Sequence, residues 1–390
     1  MSKKHFSWLL ALTLIVGAVI LLMPAKTGHE SGFEARPLIA GMDAWVNDVS
    51  RVRIVRAGNQ PVATMSRGDH GWVVEEAGSY AADWTKLKAL LAALAQARII
   101  EQKTSNPAYF DRLGLKDVAD DSSTAVLIEI GQGEHQANVL VGHVAQNREG
   151  QYVRLPDDSQ ALLVDKTMPV PAETRDWLQR DIVDLAESEV VEVDITHPDG
   201  EQVSARKASA DDQDFTLQGV PEGSEIQSSW SVNALGGSFS GLVLDEVTAE
   251  SNIDWSQATH IRLLTADGID IGADVAESGG KPWIRLVASL YQQHTDNAVN
   301  DEQAKEPEQA ERSGEPGPAK ESAAGQAAVE QPATGDAAAQ ESVEKDGEER
   351  VATINQRVTG WAYAIPQYKA QTMQKRLEDL LKPLETKEEN

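Results

Sequence analysis

From Val49 onward the chain pairs with itself, and this self-similarity constrains the fold more than any other feature. VSRVRIVRAG (residues 49–58) and VVEVDITHPDG (190–200) share one pattern at an offset of 141, with Val49, Val52 and Ile54 against Val190, Val193 and Ile195. Alternating apolar positions that run into a glycine read as a strand entering a hairpin. GWVVEE is then answered by DFTLQG, Trp72 matching Phe215 and Val74 matching Leu217. ADWTKLKALLAALAQARII is answered by SSWSVNALGGSFSGLVLDEV. Both open on a capping residue, Asp83 in one and Ser228 or Ser229 in the other, followed by Trp84 or Trp230. Leu87, Leu90, Leu91 and Leu94 form a helical stripe in the first stretch, whereas Gly236, Gly237 and Gly241 weaken the second.

Further on, TAVLIEIGQGEHQANVLVGHV is echoed by THIRLLTADGIDIGADV, a strand, a tight turn and a strand. ALLVDKTMPV, with the helix expected after it, is echoed by WAYAIPQYKAQTMQKRLEDLL. In that last stretch Met373, Leu377, Leu380 and Leu381 predict one amphipathic helix, with Lys375 and Arg376 opposite. The second echo arrives late because residues 295–350 are rich in Ala, Glu, Gln, Pro and Gly. Such a composition buries too little apolar surface to offset chain entropy, so a disordered insertion inside the second repeat is expected. The expected fold class is α+β: two tandem repeats of mainly antiparallel strands with one or two helices each, over residues 49–186 and 187–390.

Ahead of the repeats, Lys3 and Lys4 precede an uncharged apolar run at residues 6–23. A membrane-spanning helix needs roughly 17–25 such residues, longer than the core of a cleaved signal peptide. The following MPA lacks the small residue that cleavage requires. Residues 1–26 are therefore expected to be a cytoplasmic stub and a single uncleaved signal-anchor transmembrane helix, and 27–48 a juxtamembrane segment. The rest of the chain is placed outside the cytoplasm, with the membrane as a partner through residues 6–23.

Sixty-two acidic against 35 basic residues give a formal charge of −27, which repels phosphate backbones and argues against nucleic acid as a partner. With no cysteine, the chain has no disulfide, thiolate nucleophile or cysteine-ligated zinc. Neither a phosphate-binding loop nor a dinucleotide-binding glycine pattern occurs. GGSFSG (236–241) misses the spacing of a nucleophile elbow and falls inside the second helix, where close packing explains it. His135 and His143 flank a hairpin strand without further metal-ligand spacing, and the acidic doublets sit in turns. Trp72, Trp84, Trp177, Trp230, Trp255, Trp283 and Trp361 recur at repeat-equivalent or strand positions, which predicts core packing. No catalytic, cofactor-binding or metal-ligating residue is nominated, and the chain reads as a non-enzyme without cofactors.

One further run is distinctive: IIEQKTSNPAYFDRLGLKD, residues 99–117. Asn106-Pro107 starts a turn or short helix there, and Gly114 ends it, which marks a structured connector. Together with GWVV and YAADWTKLKALLAAL it resembles the bacterial domain-of-unknown-function family numbered 4340. Tyr80, Ala82, Asp83 and Trp84 stand at the helix start, followed by Lys103, Thr104 and Tyr109, then Leu113-Gly114-Leu115. The resemblance covers residues 49–185 closely and the second repeat loosely, and it implies a membrane-anchored protein of the bacterial inner membrane and periplasm. It also implies an auxiliary role beside gliding-motility-type ABC transporter components, and carries no catalytic residues. Three functions are open at this point: an accessory or scaffold subunit of an ABC-type transport or envelope system, a periplasmic binding module for glycan, lipid or peptide, and, third, a hydrolase.

Overall fold

The computed structural model describes residues 34–291 and 335–383, apart from positions 70, 134 and 147. The apolar run 6–23 and residues 295–334 of the insertion lie outside the described residues. Among the described residues no helix is long and apolar enough to cross a membrane. The chain forms two compact units, Met1–Arg180 and Asp181–Asn390. The division falls a few residues ahead of the expected 186, because Asp181–Val183 pairs with Leu242–Val243 in the second unit.

In the first unit, alternation writes a sheet. Its strands are β1 (Arg36–Pro37), β2 (Arg51–Arg56), β3 (Gln60–Gly68), β4 (Gly71–Val74), β5 (Tyr80–Ala81), β6 (Arg98–Gln102), β7 (Val126–Gln132), β8 (His135–Val144), β9 (Gln151–Arg154) and β10 (Ala161–Val164). They lie in the order β1-β6-β10-β9-β8-β7-β2-β3-β4-β5, every pair antiparallel. Register puts Val52 opposite Met65 and Ile130, and Ile54 opposite Ala63 and Ile128, all buried. Side chains alternate between faces, so Val55, Leu127 and Leu140 point the other way. Helix α1 (Trp84–Gln96) carries the expected stripe, and Leu87, Leu90, Leu91 and Leu94 are all buried.

The connector 99–117 covers the face bearing Val55. Phe110, Leu115 and Val118 pack there with Val55, Leu140 and Ala161, and Leu113 lies against the same cluster. Asn106 accepts the Ala108 N–H at 3.0 Å and opens a 3-10 turn over Pro107–Tyr109. A short helix follows over Phe110–Leu113 and ends at Gly114 in the left-handed region, φ 67°. A Cβ on Gly114 would stand 2.6 Å from the His143 ring, and one on Gly142 would stand 2.3 Å from the Leu113 carbonyl. The Leu-Gly-Leu turn thus seats backbone on backbone against β8, where only glycines fit.

The second unit has a two-stranded ribbon of β11 (Asp181–Val183) and β15 (Leu242–Val243). Its main sheet contains β12 (Val190–Thr196), β13 (Gln202–Arg206), β14 (Thr216–Leu217), β16 (Glu246–Ala249), β17 (Thr259–Thr265), β18 (Ile269–Ser278), β19 (Lys281–Leu290) and β20 (Trp361–Ala364). Their order is β14-β13-β12-β17-β18-β19-β20-β16, again antiparallel throughout. In the first unit the run β4-β3-β2-β7-β8-β9-β10-β6 has the same sequence of connections, strand for strand. Helix α2 (Ser229–Gly236) starts at Ser228, whose hydroxyl accepts the Ser231 N–H. A Cβ on Gly236 would meet the Phe215 ring at 2.4 Å, so GGSFSG is a close-packed helix end.

Four expectations need correction. The helix expected after ALLVDKTMPV is only a 3-10 turn, Thr174–Trp177, and Asp181–Val183 beyond it is a strand. Residues 335–350 were assigned to the disordered insertion, but they lie in helix α3 (Gly335–Val358). Polar clips add to the apolar contact that this helix makes through buried Val358. Arg350 ion-pairs with Glu189 and Asp267, both at 2.8 Å, and Asn355 exchanges two hydrogen bonds with the Ala288 backbone of β19. The single amphipathic helix expected at the C-terminus is broken into α4 (Gln367–Met373) and a short turn of helix at Leu377–Leu380. Glu201 breaks it by accepting the Leu377 N–H at 2.9 Å and binding the Arg376 guanidinium. Finally, the tryptophans are not uniformly core: Trp177 and Trp283 are buried, whereas Trp84 is 49% and Trp230 77% exposed.

Candidate functional site: a tryptophan-lined cleft

The start of α1 positions the site. Asp83 caps the helix by accepting the Lys86 N–H at 3.1 Å, and its own N–H donates to the Trp177 carbonyl at 2.7 Å. Lys86 reaches back to the Asp176 carbonyl at 2.6 Å and to the Asp83 carboxylate at 3.2 Å. These bonds fix the first helical residue, Trp84, one turn ahead of the buried leucines. There its indole stacks on Trp72 of β4, with ring centroids 6.4 Å apart and planes within 15°.

The stacked pair walls a cleft of about 580 Å³. Val46, Val49, Leu91 and Ala92 give it an apolar lining, and Arg67 and Lys88 contribute the charges. Arg67 stands directly opposite Trp72 in the β3–β4 hairpin, and Lys88 lies one helical turn beyond Trp84. Among the described residues neither cation is ion-paired; the Arg67 guanidinium contacts the Asn47 carbonyl at 3.5 Å. No carboxylate, imidazole, hydroxyl or thiol is among the described lining residues. Such a cleft can hold a ligand through its apolar walls and its two cations.

The residues singled out from sequence do not converge on one place. Tyr80 is buried beside the helix start, Asp83 caps it, and Trp84 lines the cleft. Lys103, Thr104, Tyr109, Leu113 and Gly114 belong to the connector, which packs on the cluster around Val55. Lys103 donates to Glu101 at 2.6 Å, and Arg148 pairs with the other oxygen of that carboxylate. The hydrogen bond from Lys103, with the charges of Lys103 and Arg148, holds the Glu101 carboxyl below its ordinary range. The Thr104 hydroxyl accepts the Asn106 N–H, and Tyr109, exposed, lies beneath the Arg112 guanidinium. Among the described residues no group of three or more His, Asp or Glu side chains is placed to hold a metal ion.

Arg67, Lys88 and Val46 escaped the sequence reading, and Val49 was legible only as a strand position. Two of them left a signal. Lys88 follows Trp84 at helical spacing, and Arg67 precedes Trp72 across a hairpin turn whose register makes them cross-strand neighbours.

Residues 72–257 match the family described as Domain of unknown function (DUF4340). The match takes in just under half of the chain and parts of both units. No curated protein and no solved structure matches the chain. The DUF4340 segment begins at Trp72, so it contains the stacked pair, Lys88 and Leu91, whereas Val46, Val49 and Arg67 precede it. It also takes in the whole connector 99–117 and ends in the second unit, ahead of β17.

Proposed function

We propose that the chain is a non-enzymatic binding protein, anchored in the bacterial inner membrane by residues 6–23 and working outside the cytoplasm as an auxiliary of an ABC-type transport or envelope system. The observation that carries the reading is the cleft walled by Trp72 and Trp84, with an apolar lining and two cations that have no ion-pair partner among the described residues. Exposed aromatic surface of this size in a concave site marks a place for a ligand. The cleft favours a ligand-binding module over a bare scaffold. The anchor rests on the apolar run 6–23 and the lysines before it, and the transport setting on the family resemblance.

Native mass spectrometry tests the binding role. The full chain, taken from its own membranes in lipid nanodiscs, carries a bound mass that the Trp72→Ala/Trp84→Ala variant lacks; identical spectra for the two overturn the reading. Proximity labelling in the native membrane tests the setting. Transport subunits are recovered above the level given by an unrelated single-span protein, and equal recovery removes the ABC association.

The finer architecture belongs to the same proposal: two tandem copies of one α+β unit. Its support is the shared order of eight strands, the 141-residue offset, and capped helices that both present an exposed tryptophan. Profiles built from relatives of each unit should align with one another over the eight strands. Alignment no better than with shuffled sequence would sink the duplication.

A further inference from the structure

We infer that the ligand of the Trp72–Trp84 cleft is an anionic amphiphile, a single molecule with an apolar acyl or aromatic body and one acidic head. This rests on the cleft being a ligand site, as proposed above. The body is set by the lining: two stacked indoles over Val46, Val49 and Leu91 offer apolar surface and almost no hydrogen-bonding partners. The head is set by charge. In a chain of −27, several cations of the first unit are already ion-paired: Arg51 with Glu75, Arg53 with Glu129, Lys86 with Asp83, Lys103 and Arg148 with Glu101, Lys116 with Asp120, and Arg175 with Glu173. Arg67 and Lys88 have no such partner among the described residues, and both belong to this one cleft. An acid entering between them gains two charge contacts that nothing in the unit already satisfies.

An extended peptide is disfavoured by the backbone. The hydrogen bonds by which a strand would add at this edge are taken: Ala82 donates to the Trp72 carbonyl at 2.8 Å, and Gln179 to the Ala81 carbonyl at 2.9 Å. A bilayer surface is disfavoured by shape, since these tryptophans wall a concavity rather than standing proud of the unit. The volume of about 580 Å³ falls within the range of about 300–1,000 Å³ typical of small-molecule sites.

Photolabelling of the full chain in phosphatidylcholine nanodiscs tests this. The probes are a medium-chain fatty acid with a diazirine in its tail, the same chain ending in a neutral amide, and a phosphatidylglycerol with the same tail group built into the disc. The acid should label peptides containing Val46–Val49 and Leu91–Ala92 about tenfold more than the amide, the combined worth of two partly exposed charge contacts. Arg67→Gln/Lys88→Gln should bring that ratio to about one, and Trp84→Ala should remove cleft labelling by both free probes; unchanged melting of these surface variants shows that folding is intact. Equal labelling by acid and amide, or labelling elsewhere, overturns the inference. So does labelling by the phosphatidylglycerol but not the free acid, which points to the bilayer. A photoreactive amino acid at position 84 that captures a polypeptide in cells, in preference to the fatty acid, also overturns it. If the Trp-dependent bound mass of the preceding section persists while acid and amide label alike, the binding role stands and only the ligand class falls.

Discussion

At the scale of single residues, the family-like positions divide by whether the fold or the cleft needs them. Gly114 sits at φ 67° with the His143 ring where a Cβ would go. Gly114→Ala should therefore cost about 1–3 kcal/mol from backbone strain, with the clash added. Trp84→Ala, at a half-exposed position, should change stability by no more than about 0.5 kcal/mol. Urea unfolding of the two variants measures the difference, and a Gly114→Ala chain as stable as wild type would refute the seating of the connector on β8. The leucine stripe of α1 and the glycine stop at 114 were legible because helical period and left-handed caps are written locally in sequence. The exposure of Trp84 was not. A tryptophan at the first turn of an amphipathic helix extends the apolar stripe in one dimension, and whether anything covers it depends on where β4 and its Trp72 come to rest. Arg67 was hidden for the same reason, since it becomes a neighbour of Trp72 only once the hairpin register is fixed.

At the scale of elements, the two corrections at the end of the chain share a cause. Apolar patterning located the strands, but the limits of α3 and of the broken terminal helix also depend on charged and amide groups that reach residues distant in sequence. Asp199 and Glu201 illustrate it. The Arg376 guanidinium holds the Asp199 carboxyl below its ordinary range, and the Leu377 N–H, with Arg376, does the same for Glu201. Both carboxylates titrate lower in the folded chain than in the unfolded one. Their contribution is complete above the ordinary carboxylate values of about 4 and fades as pH falls through the depressed folded values. Hydrogen exchange of Leu377–Leu380 should accordingly quicken, beyond the intrinsic rate, on acidification from pH 6 to below about 4. In Arg376→Gln the protection should be low already at pH 6, with a flatter pH dependence. A wild-type segment equally protected across that range would show that the clip is idle. Residues 335–350 carry a composition indistinguishable by eye from the insertion before them; Arg350 and Asn355 are the anchors, and their partners Glu189, Asp267 and Ala288 are far away in sequence.

At the scale of the whole molecule, each unit owns a sheet and buried apolar side chains. Residues 34–180 and 181–383, expressed separately, should each unfold cooperatively in urea. A fragment without a transition would mean that its unit depends on the rest of the chain. The α+β class and the antiparallel strands were readable from alternation and hairpin turns, because those signals repeat in the two halves. The shared strand order was not, since β10 and β20 each pair on one side with a strand made much earlier, β6 and β16. That insertion also bears on synthesis. In the second unit β20 (Trp361–Ala364) is the strand that joins β16 to β19, so neither can pair on that side until Ala364 has been made. A premature stop between residues 291 and 361 leaves two unpaired strand margins in an otherwise finished sheet, a product suited to clumping or to quality-control proteolysis rather than to partial function.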